Sequence, residues 1–278
     1  MTDFRMFQVS DTHLSRVHPY FTDNFMCVAA HVRREKPDLV LNSGDIAIDG
    51  PGRPDDLVYA RDCHAEIAAE LLAIPGNHDI GDNPPDGDAK PKQDVTDARL
   101  GHYRGLFGAD HWCRDVGNWR LVGINSLLFN TGRDDEAAQW ASIEAALDGA
   151  GDRPVAIFLH KPPVKERADE INEAPGRYLP TTSRQRLLSL MATARVKLLS
   201  CGHVHQSRRI EVAGASHVWC PSSAFVLPDS FQPVIGTKQV GMIDYRFSGD
   251  EVEVGFVTPE GMRNLDIHDF PQVYGALG

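Results

Sequence analysis

The segment 201–205, Cys-Gly-His-Val-His, places two histidines two residues apart, directly after a hydrophobic run. The run at residues 196–200 is typical of a buried strand, and Gly202 would end it. Side chains two residues apart share one face of a strand, whereas a turn after Gly202 would direct the imidazoles at neighbouring points. Both arrangements favour a metal ion, because neutral imidazole is the commonest metal ligand in proteins.

Polar side chains of this kind also follow four other predicted strands. The strands lie at residues 4–9, 38–43, 71–74 and 154–159. The side chains after them are Asp11 and His13, then Asp45, then Asn77 and His78, and finally His160. Open α/β sheets bind ligands beyond the carboxyl ends of their strands, so we expect these side chains to converge with His203 and His205.

Apart from His78, the convergent side chains offer two aspartates, one asparagine and four histidines as metal ligands, which is more than one ion needs. The set therefore suits two ions bridged by a carboxylate. Nitrogen and oxygen donors without a thiolate suit Mn, Fe, Zn or Co, and the histidines exclude an all-oxygen calcium cage. Two such ions about 3.5–4 Å apart clamp the attacking and leaving oxygens at phosphorus. The pattern therefore predicts hydrolysis of a phosphate ester.

The remaining periodicity predicts an α/β chain with a strand-rich C-terminal part. Helices are expected near residues 22–36, 55–70, 95–107, 134–147 and 183–194, and a further strand at 119–125. Strand-like runs follow at 209–212, 217–219, 240–247 and 251–257, and we expect them to pair antiparallel because no helix separates them. No repeat or linker divides the sequence, so residues 1–278 are expected to form a single domain.

The composition indicates a sizeable core and an acidic surface. The 278 residues are 42% hydrophobic and 24% charged, with a formal net charge of −11, which would repel a nucleic acid. Five cysteines without CxxC spacing favour a reducing, cytoplasmic location. No signal peptide and no run of about 20 apolar residues is present, so no membrane partner is expected. Homo-oligomerisation stays open.

Five motifs together resemble the signature of the calcineurin-like metallophosphoesterases. They are Asp11-x-His13, Gly44-Asp45, Gly76-Asn77-His78-Asp79, His160 and Gly202-His203-x-His205, in this order and with none missing. The resemblance implies a four-layer α/β/β/α sandwich of two mixed sheets flanked by helices. Within that superfamily the chain is most similar to the class III cyclic-nucleotide phosphodiesterase branch, which includes glycerophosphodiesterases.

Two sister families are excluded by differences at two positions each. Purple acid phosphatases carry a ligand tyrosine where this chain has Ile48, and a glycine where it has His13. Serine/threonine protein phosphatases have an arginine after the Gly-Asp motif, where this chain continues Ile48-Asp49-Gly50. They also have a glutamate at the position of Asp79.

The resemblance implies a role for each motif residue. Asp11, His13, Asp45 and His205 would bind one metal ion, and Asp45, Asn77, His160 and His203 would bind the second, with Asp45 as the bridge. The ions would be divalent transition metals, Mn and/or Fe or alternatively Zn or Co, and a metal-bound hydroxide would be the nucleophile. His78 would face the substrate and act on the leaving oxygen, and Asp79 would orient His78.

The expected function is hydrolysis of a small soluble phosphodiester, either a cyclic nucleotide or a glycerophosphodiester. A phosphomonoesterase, a DNA nuclease of the same fold and a non-catalytic metal-binding scaffold remain alternatives. The intact ligand set and His78 count against the scaffold, and the lack of a basic, aromatic-rich groove counts against the nuclease. Loops 14–21, 80–94 and 161–180 would decide the substrate.

Overall fold

The computed structural model describes residues 3–87 and 89–274, which form two mixed β-sheets with helices on their outer faces. The strands are β1 (Phe4–Val9), β2 (Leu39–Asn42), β3 (Glu70–Ala73), β4 (Trp112–Val116), β5 (Trp119–Ile124), β6 (Val155–Leu159), β7 (Val196–Cys201), β8 (Arg208–Val212), β9 (Ala215–Trp219), β10 (Met242–Ser248) and β11 (Glu251–Val257). The helices are α1 (Thr22–Glu35), α2 (Pro54–His64), α3 (Asn77–Ile80), α4 (Asp97–Phe107), α5 (Asp134–Asp148), α6 (Thr181–Met191) and α7 (Pro271–Tyr274).

The sheets have the strand orders β11-β10-β1-β2-β3 and β4-β5-β6-β7-β9-β8. In the first sheet β1, β2 and β3 are parallel, and β10 and β11 complete it antiparallel. In the second sheet β5, β6, β7 and β9 are parallel, with β4 and β8 antiparallel at its edges. The carboxyl ends of parallel strands lie at one edge of a sheet. The candidate ligands come directly after these strands in the chain and therefore lie at that edge.

Successive side chains along the buried strands enter different cores, which produces four layers. On β6, Ala156 and Phe158 belong to a core that lies between the two sheets. Its intervening residues Ile157 and Leu159 pack in a second core with side chains of α5 and α6. A third core packs the other sheet against α1, α2 and α4. The predicted helix–sheet–sheet–helix sandwich is therefore confirmed.

Several predicted boundaries differ from the structure. Helix α2 ends at His64 and β3 begins at Glu70, so the helix predicted to run to residue 70 was six residues too long. The strand β4 and the short helix α3 were not predicted, because Arg114 and Asp115 interrupt the apolar residues of β4 and α3 is only four residues long. The expected antiparallel pairing is confirmed for β8 with β9 and for β10 with β11, while β9 also pairs parallel with β7 on its other side. No helix among the described residues is long and apolar enough to cross a bilayer.

Two buried histidines outside the site link stability to pH. Burial lowers the pKa of His64 and of His217 to about 4, although hydrogen bonds to the Ala60 and Val212 carbonyls act in the opposite direction. Between pH 6.5 and 4 the unfolded chain therefore binds more protons than the folded chain, and stability falls as the pH falls. A depression of this size corresponds to roughly 3 kcal/mol for each histidine.

We expect His64→Gln to flatten the acid limb of the stability profile. The slope of the unfolding free energy between pH 6.5 and 4, measured by urea titration with chelator present, should fall by up to roughly 1.4 kcal/mol per pH unit. The exposed His268→Gln is the control and should keep the wild-type slope. An unchanged slope in His64→Gln would show that this ring does not control the acid limb.

Candidate metal centre

All seven predicted ligands lie at one end of the two sheets, where β1, β2, β3, β6 and β7 end. The ring nitrogen and carboxylate oxygen atoms of six of these ligands, together with those of His78, form compact groups in which all members lie within 4.8 Å of one another. The groups are Asp11, His13 and His205; His13, Asp45 and His78; and Asp45, His160 and His203. No group found among residues 3–87 and 89–274 contains a cysteine, so the donors are nitrogen and oxygen throughout.

Asp11, His13 and His205 form one side of the centre. The Nε2 atom of His205 lies 3.3 Å from Asp11 Oδ1 and 3.3 Å from His13 Nε2. All three side chains are nearly or fully buried. The ring of Phe225 packs against both imidazoles, at centroid distances of 4.9 Å to His13 and 4.6 Å to His205, and shields this side from solvent.

His160 is the hub of the other side. Its Nε2 lies 3.3 Å from Asp45 Oδ2, 3.3 Å from Asn77 Oδ1 and 3.1 Å from His203 Nδ1. Asp45 Oδ2 also lies 3.9 Å from His13 Nε2, so this one carboxylate borders both sides of the centre. That position is the one a bridging ligand requires.

Hydrogen bonds to backbone carbonyls orient two of the rings. His160 Nδ1 lies 2.9 Å from the Ser43 carbonyl and His205 Nδ1 lies 3.0 Å from the Phe225 carbonyl. Once a cation replaces any proton on Nε2, a ring that donates from Nδ1 presents its Nε2 lone pair on the other side, which here faces the cluster. Imidazole lone pairs and carboxylates aimed at one buried space repel each other unless cations lie between them. The donor set therefore fits divalent transition metals.

The backbone is strained where it carries these ligands. Eight non-glycine residues of the described chain have a positive φ, and five of them are Asp11, His13, Asp45, His203 and His205. A left-handed conformation costs an L-residue roughly 1–2 kcal/mol. Such strain concentrates at functional sites because the surrounding structure enforces it there.

Glycines allow the two loops that flank Asp45 to touch. Gly44 has a φ of +102°, and a Cβ there would lie 2.6 Å from the Gly76 nitrogen and 2.7 Å from His160 Nδ1. A Cβ on Gly76 would lie 2.2 Å from Asp45 Oδ1. A side chain at either position would displace the loops, so the Gly-Asp and Gly-Asn-His motifs are required for packing as well as for chemistry.

The electrostatics of the centre attract positive charge. Burial lowers the pKa of His13 and of His203 well below the usual value, which keeps both rings neutral and able to bind a cation. Burial also opposes the charged form of His160, but the carboxylates of Asp45 and Asp11 outweigh it and raise its pKa to about 9. Burial acts against the charged Asp45 carboxylate as well, yet His160 and the neighbouring imidazoles hold its pKa well below the usual range.

His78 and Asp79 differ in what they contact. His78 lies at the centre, with its ring 5.0 Å from that of His13, and its Nδ1 is 2.7 Å from the Ile48 carbonyl. The Asp79 carboxylate accepts the backbone N–H groups of Gly76 at 2.8 Å and Ala47 at 2.9 Å. The His78 ring thus contacts the Ile48 carbonyl in place of the predicted pairing with Asp79. The Asp79 carboxylate instead holds the loops around Asp45.

Burial and the nearby Asp45 charge raise the pKa of Asp79 to about 7, although the N–H groups of Gly76 and Ala47 favour its charged form. The carboxylate is 1% exposed, so water does not reach it freely. Its contacts are those of a structural acceptor inside the loop that carries Asn77 and His78.

The sequence analysis missed Lys161, which follows His160 directly. This lysine is fully buried, and its ammonium group donates to the side chains of Asp82 and Asn83. The contact ties loop 80–94 to the end of β6, beside the centre. Nothing in the local sequence, a lysine followed by two prolines, indicates that Lys161 is buried. The one available signal was its position directly after a candidate ligand histidine.

Comparisons with known proteins agree with this geometry. The calcineurin-like phosphoesterase family matches residues 4–207. The glycerophosphodiester phosphodiesterase GpdQ of Enterobacter lignolyticus is 29% identical over 206 residues, which are 70% of this chain and 66% of that protein. This chain thus matches just under two thirds of the length of that relative. A probable cyclic nucleotide phosphodiesterase of a Synechococcus strain is 24% identical over 233 residues, 78% of this chain and 79% of that protein.

A solved structure shares the fold. The dimetal phosphatase from Danio rerio has a TM-score of 0.61 and 16% identity, over 91% of this chain and 95% of that one. The family match covers residues 4–207 and includes every motif at the strand ends. The chain therefore belongs to the calcineurin-like phosphoesterase family.

Proposed function

We propose that this protein is a phosphodiesterase that hydrolyses small phosphodiesters at a centre of two divalent metal ions. The observation that carries the proposal is the position of Asp45, which belongs to one donor group with His13 and to another with His160 and His203. Asp11, His13, Asp45 and His205 would hold one ion, and Asp45, Asn77, His160 and His203 the other. Mn and Fe suit this donor set, and Zn or Co would also fit.

The ions would neutralise phosphate charge and lower the pKa of water, which supplies the nucleophile. The chain itself holds the carboxylates and imidazoles in place through backbone contacts. His78 is the candidate for protonating the leaving oxygen, because its ring lies beside His13 and its backbone N–H donates to Asp45 Oδ1 at 2.8 Å. Asp79 acts as a positioning residue through the Gly76 and Ala47 N–H groups.

The names of the relatives support diesters as the substrate class. One relative is called a glycerophosphodiester phosphodiesterase and another a probable cyclic nucleotide phosphodiesterase. Both names describe a phosphorus atom with two ester oxygens.

The proposed function is tested with a hydrolysis panel on Mn-loaded protein. The panel compares 3′,5′-cyclic nucleotides, glycerophosphodiesters, bis(p-nitrophenyl) phosphate and p-nitrophenyl phosphate. We expect higher kcat/KM for the diesters than for the monoester. Faster turnover of the monoester would identify a phosphomonoesterase. If none of the four compounds is hydrolysed, the result would favour a non-catalytic metal-binding scaffold.

Two metal ions per chain are expected at saturation. Elemental analysis of protein prepared without chelator should give a ratio near two, because seven donors exceed the requirement of one ion. A ratio that stays at one under saturating metal would contradict the dinuclear centre.

Asp45→Asn should lose metal and activity together, because the amide supplies no bridging negative charge between two cations. We expect less than one ion per chain and a loss of activity of at least ~10²-fold. The control is Asp62→Asn, which removes one negative charge from the exposed surface of α2 and should change neither quantity. Near-normal turnover of Asp45→Asn with both ions bound would exclude the bridging role.

His78→Ala should lower kcat by ~10²–10⁴-fold on substrates with a poor leaving group, without loss of metal. The loss should be smaller for p-nitrophenyl esters, because p-nitrophenolate needs little protonation. Metal content and both rates are measured on the same preparations, and the exposed His268→Ala serves as the control. An equal loss on both substrate types would assign His78 to charge stabilisation, and no loss on either would remove it from the mechanism.

A further inference from the structure

Phe225 supports the side of the centre that Asp11, His13 and His205 form. Its ring packs against both imidazoles, and its backbone carbonyl lies 3.0 Å from His205 Nδ1. The residue is 2% exposed. An apolar wall of this kind excludes water and strengthens the attraction between a bound cation and its ligands. The position of Phe225 therefore affects how tightly this side of the centre can bind an ion.

Ser222 fixes the start of the segment that carries Phe225. This serine is buried, and its hydroxyl donates to the Asp11 carbonyl at 2.9 Å. The same oxygen accepts the N–H groups of Ala224 at 3.0 Å and Phe225 at 3.3 Å. Segment 222–225 is thus attached to the backbone of one candidate ligand and to the ring of another.

The strap, residues 263–270, is paired with the residue that follows Phe225. The Val226 N–H donates to the Leu265 carbonyl at 2.8 Å, and the Ile267 N–H donates to the Val226 carbonyl at 3.2 Å. These two bonds form a short parallel β-bridge. Both backbone groups of Val226 are therefore held by the strap.

Asn24 of α1 joins the strap to the residue before Phe225. Its amide nitrogen donates to the Ala224 carbonyl at 3.0 Å and to the Arg263 carbonyl at 2.8 Å. Its amide oxygen accepts the Arg263 N–H at 2.8 Å. Asn24 is 2% exposed, so solvent competes little for these bonds. The residues on both sides of Phe225 are thus fixed, one through Asn24 and one by the strap.

Aromatic rings continue the contact from the strap to the centre. The ring centroid of Phe270, in the strap, lies 5.5 Å from that of Phe21, which lies 4.8 Å from that of Phe225. Phe21, Phe225 and Ile267 share a hydrophobic cluster that is separate from the three cores of the sandwich. Aromatic pairs at this spacing attract one another beyond the effect of burial. Loss of the Phe270 ring should therefore loosen Phe21 and, through it, Phe225.

We propose that the strap is a positioning segment for the metal ion on the Asp11 side of the centre. Through Phe225 it holds the rings of His13 and His205 in the arrangement that binds this ion. The family match ends at residue 207, before both segment 222–225 and the strap, so the ligand motifs do not include this support. The inference rests on the proposed metal centre and is independent of the substrate.

Metal titration of Phe270→Ala and Asn24→Ala tests the strap. Metal-free protein is titrated with Co²⁺, and the visible absorption and the number of bound ions per chain are recorded at each step. We expect each variant to bind one of the two ions roughly tenfold more weakly and with an altered absorption band, as is usual when support for a metal ligand is removed. The other ion should keep its affinity, because His160 on that side is oriented by the Ser43 carbonyl.

Two further variants control for a general loss of stability. Phe107→Ala removes another half-buried ring, from α4 in the core outside the first sheet. Urea unfolding of the metal-free proteins measures the stability that each variant loses. Phe107→Ala should lose stability but bind both ions like the wild type. The conservative Phe270→Tyr, which retains the ring, should restore wild-type binding.

The outcomes separate the strap from the proposed function. Unchanged Co²⁺ affinity and absorption in Phe270→Ala would overturn the strap, and so would equal weakening of both ions or the same weakening in Phe107→Ala. If Asn24→Ala does not fold, Phe270→Ala decides. If the wild type binds a single ion, the dinuclear centre fails, and the affinity of Phe270→Ala for that ion decides the strap. A wild type that binds both ions but hydrolyses no ester would contradict the activity, and the same titration would still decide the strap.

Discussion

The buried carboxylate of Asp45 is the constraint on which the site depends. Its Oδ1 accepts the His78 N–H and its Oδ2 lies 3.3 Å from His160, so one side chain joins the ends of β2 and β6 to the loop after β3. A charge that is 2% exposed is costly to bury unless neighbours compensate it. The glycines on both sides of it, the left-handed backbone and the surrounding imidazoles all serve to hold this charge in one place.

The two sheets are held in register beneath the site by a buried polar network. Gln8 donates to Ser43 Oγ at 2.8 Å and accepts hydrogen bonds from Ser200 at 2.6 Å and Tyr245 at 3.1 Å. These residues belong to both sheets, and Gln8 lies three positions before Asp11. A satisfied polar network inside a core favours one arrangement over shifted alternatives. It therefore keeps the ligands from the two sheets at fixed separations.

Loops around the centre are tied down by side chains that the rigid scaffold presents. Lys161 holds Asp82 and Asn83, and the Asp86 carboxylate accepts the backbone N–H of Thr181 at 2.9 Å and its hydroxyl at 2.8 Å. Loop 80–94 is thus connected to the start of α6 and to the end of β6. The strand ends that carry the candidate ligands therefore also hold this loop in place.

The sequence alone predicted every described strand except β4, and the candidate ligands after the strands, because these depend on local signals, whereas the layer order came from the family resemblance. Hydrophobic runs that end in Asp or His are visible within a few residues, as at β1 and β7. The resemblance of the five motifs then identified the family. Weak or short periods, as in β4 and α3, were below what a local pattern can show.

Only the tertiary structure decided how those residues are oriented and what surrounds them. The ring of His160 is set by the Ser43 carbonyl, 117 residues away in the chain, and Asp79 binds backbone N–H groups instead of His78. Tyr178 lies in an irregular loop whose sequence has no periodicity, so its burial could not be predicted. Burial and hydrogen bonding there depend on contacts between distant segments, and those contacts exist only once the two sheets have packed.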